Sequence, residues 1–218
     1  MTRIRIWLAA VALAVFVGTL VPLLGHAAWL TAADDAVLAP LFRYGSAHPG
    51  WVRGWDVFCT VFHPVVFRAI GWIWIVYALI RRQRRVALFL ALSVEASGLL
   101  IILFKATVDR PRPATALVSE VSSSYPSGHA LGVMAGVLGL TIVALPLLAQ
   151  AWHKPVIAAG ALIVFFIGVG RVVLNVHHLS DVLAGWALGY LWVLACLPVL
   201  RPSPVSAAET PEAHDTPR

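Results

Sequence analysis

Hydrophobic residues in this chain come in six blocks, near 6–25, 64–80, 86–104, 130–150, 155–170 and 182–200. Each block runs for between 16 and 21 residues, close to the roughly 20 that an α-helix needs to cross a hydrocarbon core of about 30 Å. The pattern predicts an all-α fold, a polytopic membrane helix bundle with six transmembrane helices over residues 1–202. The block at 155–170 is the shortest and leads directly into Arg171. The first block follows Arg3 and Arg5, which leaves two readings, a retained helix or a signal peptide cleaved near Ala27. Its length favours a retained helix.

Between the first two blocks, Trp51, Trp55, Phe58 and Phe62 follow helical spacing, with Arg53 and Asp56 elsewhere on the wheel. That suits a short helix in the headgroup layer or an ordinary aromatic belt loop. The segment 203–218, SPVSAAETPEAHDTPR, is polar and Pro-bearing and reads as a disordered cytoplasmic tail.

Composition agrees with the blocks. The chain is 60% hydrophobic and only 12% charged, about half the charged fraction of an ordinary soluble domain. A net charge of +6 could suggest nucleic acid, but the basic residues mostly flank apolar blocks, where they set topology. Arg3, Arg5, the RRQRR run at 81–85, Lys154 and Arg201 fall at alternate block ends. Lys and Arg mark the cytoplasmic side, so both termini are expected inside and the connections 26–63, 105–129 and 171–181 outside. The two cysteines, Cys59 in an expected loop and Cys196 near the end of the last block, suggest neither a disulfide framework nor a thiolate metal site.

The unusual polar residues gather on the outer connections, in KATVDRPRP (105–113), YPSGH (125–129) and GRVVLNVHHLSD (170–181). Lys105, Arg110, Arg112 and Arg171 stand on the side where cations are disfavoured, which calls for an anionic partner. Arg offers a planar fork for phosphate oxygens and Lys a point charge. Ser127 and Gly128 fall at an expected helix N-terminus, where unpaired N–H groups and the helix dipole favour an anion. His177 and Asp181 are four apart, so on a helix they would share a face and the carboxylate could hold one imidazole nitrogen. His129 supplies a second imidazole. Two histidines, one oriented by Asp, beside several cations suggest phosphoryl transfer, with one attacking phosphorus and the other protonating the leaving oxygen.

These three clusters resemble the three-part signature of the type 2 phosphatidic acid phosphatases, a family that shares its site with vanadium haloperoxidases and some bacterial acid phosphatases. The first element, Lys, six residues, Arg-Pro, is met by Lys105, Arg112 and Pro113; Pro-Ser-Gly-His is met by 126–129; Arg, five residues, His, three residues, Asp is met by Arg171, His177 and Asp181. The resemblance covers about residues 60 to 200. Gly170 stands where the family has Ser, and Arg110 duplicates the Arg-Pro pattern outside the six-residue spacing, as a helper or a surface charge.

The resemblance implies that His177 is the nucleophile, that Asp181 orients it, and that His129 is the general acid. Lys105, Arg112, Arg171, Ser127 and the Gly128 N–H would bind phosphoryl oxygens. No metal and no cofactor are implied, and no pair of outer carboxylates stands ready to hold Mg²⁺. The implied enzyme is an integral membrane lipid phosphatase that hydrolyses a phosphate monoester or diphosphate through a phosphohistidine. Phosphatidic acid, phosphatidylglycerophosphate and undecaprenyl diphosphate are its candidate substrates.

A lipid phosphotransferase would use the same site, and a non-catalytic lipid-binding membrane protein is the reading from another class; the presence of both His129 and His177 argues against the latter. Haloperoxidase chemistry belongs to soluble family members. His178, beside His177, is also within helical reach of Asp181, and only the step from Arg171 favours His177. Glu95, inside the third block, is expected as a packing residue facing Ser93, Ser97 or another helix, and Arg68 as an interfacial snorkel.

Overall fold

The computed structural model describes residues 2–201, and among these it contains helices and turns but no strand. The expectations for 203–218 lie outside the described residues. Helix α1 spans Thr2–Leu24, α2 Ala28–Ala47, α3 Pro49–Val61, α4 Pro64–Ile80 and α5 Arg84–Leu90. A π-helical turn, Ala91–Glu95, joins α5 to α6, Ser97–Val108. Then come α7, Gly128–Ala144, α8, His153–Val173, and α9, Leu179–Cys196.

Among the described residues, six stretches are long and apolar enough to cross a membrane: Arg3–Leu24, Pro49–Ile80, Arg84–Val108, Gly128–Leu147, Gln150–Val173 and Leu179–Leu200. Each overlaps one of the six predicted blocks. Large apolar side chains such as Ile73, Ile80, Leu99 and Phe165 point outward, where lipid is the solvent and only internally hydrogen-bonded helices are tolerated.

Helix α7 is the centre, packed on by α4, α6, α8 and α9. Between helices in lipid, close packing replaces the hydrophobic drive, and small residues permit it. A methyl group on Gly132 would come within 2.8 Å of Pro64 Cβ, and one on Gly136 within 2.6 Å of Phe67 Cβ. On the other side, Gly185 and Gly189 of α9 meet the backbone of Ser127 and Leu131, each at 2.8 Å by the same measure. The two pairs, each four apart, bring α4 and α9 onto opposite flanks of α7.

Several expectations change. The connection 26–63 contains a 20-residue helix, α2, that the block pattern did not predict. Leu30, Asp34 and Leu38 are its buried stripe, and Leu38 packs with Val172 and Val182, so α2 lies across the ends of α8 and α9. The aromatic stretch is helical, as its spacing suggested: Trp51–Trp55, Trp55–Phe58 and Phe58–Phe62 are ring neighbours at 5.7, 6.0 and 4.9 Å. Cys59 is buried in α3 and not in a loop; it and Cys196 are both free. Arg68 does not reach simply for the interface: its guanidinium lies against Gly98 of α6, while Glu95 Oε1 lies against Gly71 of α4.

Candidate active site

Asp109 ends α6 in the left-handed conformation, at φ 41°, a conformation that Asp tolerates better than most residues. The irregular stretch that follows, up to the start of α7, is long for a compact protein, and such loops usually carry function. It is tied down at several points. Ser124 N–H donates to Arg110 O at 2.7 Å, Leu117 N–H to Leu174 O at 3.0 Å and Ser127 N–H to Asp181 O at 3.0 Å. Lys105 Nζ donates to Ser122 Oγ and Ser123 O at 2.7 and 2.6 Å, and the Thr115 hydroxyl donates to Asn175 Oδ1 at 2.9 Å. Thr19 of α1 meets the Tyr125 hydroxyl at 3.1 Å. The loop brings all three motifs to one end of the bundle.

Ser127 is the N-cap of α7 and is fully buried, its hydroxyl accepting from Ala130 N–H at 3.4 Å. The first turn of α7 then presents backbone N–H groups that have no acceptor within the helix. A Cβ at 128 would lie in ordinary contact with Ile101 and Lys105, at 3.4 and 4.0 Å. The His129 ring packs edge-on to His63 at 4.5 Å.

His177 and Asp181 meet, but not by the predicted route. Helix α9 begins at Leu179, so His177 precedes it and the two do not share a helical face. Asn175, at φ 54°, turns the chain back after α8. Asp181 reaches from the first turn of α9 to accept from His178 N–H at 2.8 Å, half of a capping box with His178. The same oxygen lies 3.5 Å from His177 Nδ1 and 3.2 Å from His178 Nδ1, and it accepts from the Ser124 hydroxyl. His177 Nε2 faces the other way, 3.2 Å from Arg112 Nη1. A guanidinium can only donate, so Nε2 is the lone-pair nitrogen and Nδ1 carries the proton toward Asp181. Burial pushes the His177 imidazole down to about 4, against the opposing pull of its Asp181 contact, so the ring is neutral at neutral pH.

The cations converge. Arg112 is anchored through Nη1 to Val176 O and through Nε to Ser122 O, both at 2.6 Å. Arg171, nearly fully buried at the end of α8, pairs with Glu120, and Arg112 Nη2 lies 3.6 Å from the second Glu120 oxygen. One carboxylate thus sits across both guanidinium groups. Burial alone would raise the Glu120 carboxyl, but Arg171, Arg112 and His177 outweigh it and hold it below the usual range.

Arg110, left open as a helper or a surface charge, is neither exposed nor part of this cradle. It is buried and joins Asp181 to Asp34 of α2. Among the described residues, no group of three or more His, Cys, Asp and Glu side chains is arranged to hold a metal ion. Glu120, Ser124 and Asp34 were missed in the sequence. The first two carry no periodicity or spacing signal, while the Leu30–Asp34–Leu38 stripe could have flagged Asp34.

Over 108 residues the chain is 36% identical to phosphatidylglycerophosphatase B of Bacillus subtilis (strain 168), a match covering 48% of this chain and 53% of that protein. The chain therefore matches about half the length of that relative. The crystal structure of a transmembrane PAP2-type phosphatidylglycerolphosphate phosphatase from Bacillus subtilis aligns with a TM-score of 0.74 at 24% identity, covering 86% of this chain and 94% of that one; this likeness shows the fold. The PAP2 superfamily model matches residues 86–203, more than half of the 218 residues and the span that carries all three motifs: the chain belongs to the PAP2 superfamily.

Proposed function

We propose that this chain is a metal-independent lipid phosphatase working through a phosphohistidine. The observation that carries this reading is the two-sided environment of His177: Nδ1 toward Asp181, Nε2 toward Arg112 at 3.2 Å. The Nε2 lone pair attacks phosphorus as the bond to the lipid oxygen breaks, and His129 protonates that oxygen. Water, deprotonated by His129, then attacks phosphorus, releasing phosphate and restoring His177. Lys105, Arg112, Arg171 and the N-terminal turn of α7, with Ser127 and Gly128, hold the phosphoryl oxygens and supply the positive charge that a metal supplies elsewhere. The name of the Bacillus relative puts phosphatidylglycerophosphate first among substrates, ahead of phosphatidic acid and undecaprenyl diphosphate.

Phosphate release from detergent solutions of these three lipids, with EDTA present, tests the reading. Turnover is expected to persist in EDTA and to fall with vanadate, which mimics pentacoordinate phosphorus. Complete loss in EDTA with recovery on adding Mg²⁺ would refute it. Transfer of the phosphoryl group to an added alcohol in place of water would identify a phosphotransferase.

Glu120 lies where phosphate oxygens would bind, so it competes with them. Glu120→Gln is expected to strengthen vanadate inhibition by about three- to tenfold, the scale of one partly exposed ion pair released. Unchanged or weaker inhibition would place the phosphate elsewhere.

The site is proposed to face outside, with both termini in the cytoplasm, because Arg3, Arg5, the 81–85 run, Lys154 and Arg201 lie at block ends away from the motifs. A reporter inserted near residue 118 is expected to read external; a cytoplasmic signal would reverse the orientation.

A further inference from the structure

We infer that Asp34, on α2, is a positioning residue for the nucleophile, acting through Arg110 to keep one net negative charge behind His177. This rests on the phosphohistidine reading above. Asp34 lies outside the stretch matched by the family model, and neither the motifs nor the chemistry proposed so far uses it.

The geometry is a closed, buried network. Arg110 Nη1 donates to Asp181 Oδ1 at 2.6 Å and Nη2 to Asp34 Oδ2 at 2.8 Å. Ser180 locks the corner: its N–H donates to Asp34 Oδ1 at 2.9 Å, its hydroxyl to Asp34 Oδ2 at 2.6 Å, and its oxygen lies 2.7 Å from Arg110 Nη1. Asp34, Arg110 and Asp181 are all buried.

The charges decide the role. Attack by Nε2 forms the N–P bond while Nδ1 keeps its proton, so the ring becomes a phosphoimidazolium with a new positive charge. Asp181 is there to face that charge, yet Arg110 bonds to the other oxygen of the same carboxylate. Alone, Arg110 would bring the pair to zero and leave the imidazolium without a counter-charge. Asp34 engages the opposite edge of the guanidinium and returns the group to one net negative charge. Arg110 meanwhile fixes the Asp181 rotamer, turning Oδ2 toward His177. A second buried carboxylate is costly unless paired and fully hydrogen-bonded, and here each Asp34 oxygen has a donor.

The test compares full-length wild type, Asp34→Asn, Asp34→Glu and Asp34→Asn/Arg110→Gln in detergent. Turnover of a lipid phosphate, quenched phosphoenzyme formation and thermal melting are measured. Asp34→Asn is expected to slow phosphoenzyme formation and kcat by about 30-fold, the effect of one charge roughly 8 Å away at an effective dielectric of about 20, with KM nearly unchanged. The double variant removes both charges and restores the single negative charge, so it is expected to recover most of the lost rate. A merely structural network would make the double variant no faster than the single one. Asp34→Glu keeps the charge and is expected to stay near wild type, which preserves the test if Asp34→Asn folds poorly. Wild-type rates in Asp34→Asn, or no recovery in the double variant, would overturn the inference alone. Absence of any phosphoenzyme in wild type would overturn the functional reading beneath it.

Discussion

His177→Asn is expected to abolish the trapped phosphoenzyme and to lower turnover by at least about 10⁴-fold, as loss of a covalent nucleophile does, while His178→Asn keeps the phosphoenzyme and most of the activity. Distance to Asp181 alone would favour His178, because His178 Nδ1 is nearer at 3.2 Å than His177 Nδ1 at 3.5 Å. The other ring nitrogen decides. His177 Nε2 faces Arg112, beside the guanidinium groups that hold the Glu120 carboxylate. His178 is the N-cap of α9 and lines a cavity of about 370 Å³ with Pro22, Leu30, Asp35, Arg110 and Arg112. Losing its side chain removes a cap, worth about 1 kcal/mol, and no bond-forming atom. A His177→Asn enzyme that still accumulates an acid-labile adduct would move the nucleophile to His178 or His129.

Asp181→Asn is expected to damage chemistry and fold together. The carboxylate accepts from Arg110, Ser124 and His178 N–H and faces the His177 ring. An amide cannot balance the guanidinium, and its NH₂ would point at groups that themselves donate. Breaking a buried ion pair from one side costs about 3 kcal/mol or more, and the Asp34 contact to Arg110 keeps the loss toward the lower end. Loss of the orienting carboxylate costs about 10³- to 10⁴-fold in turnover by analogy with other His–Asp pairs. Thermal melting in detergent and the rate of phosphoenzyme formation read the two effects separately. Wild-type melting together with wild-type turnover would remove Asp181 from the mechanism.

The parts of this molecule that were legible from sequence are those governed by a single length or spacing. Crossing a membrane demands long apolar helices, so the six blocks mark the six stretches directly. The motif residues were legible because their steps along the chain match a family signature. Helix α2 was hidden because it carries Asp34, Asp35 and Pro40 and never makes a membrane-length apolar run; its Leu30–Asp34–Leu38 stripe is a helical signal interrupted by a carboxylate. Arg110 looked redundant because its meaning depends on Asp34, 76 residues away. Glu120 stands in an irregular loop, where neither period applies. The π-helical turn at 91–95 depends on packing that the apolar pattern of the third block does not encode. His177 and Asp181 were paired correctly for a partly wrong reason: a helix cap, not a shared helical face, brings them together.

The central claim, covalent catalysis at His177 without metal, is tested most directly by trapping wild-type enzyme. Rapid mixing with a lipid phosphate labelled in its phosphoryl group, in EDTA, followed by alkaline quench and peptide mapping, reads the modified atom itself. A base-stable, acid-labile phosphate on His177, formed and lost at rates that match turnover, is the predicted result. Steady turnover with the label on a serine, on His178, or on no residue at all would contradict it.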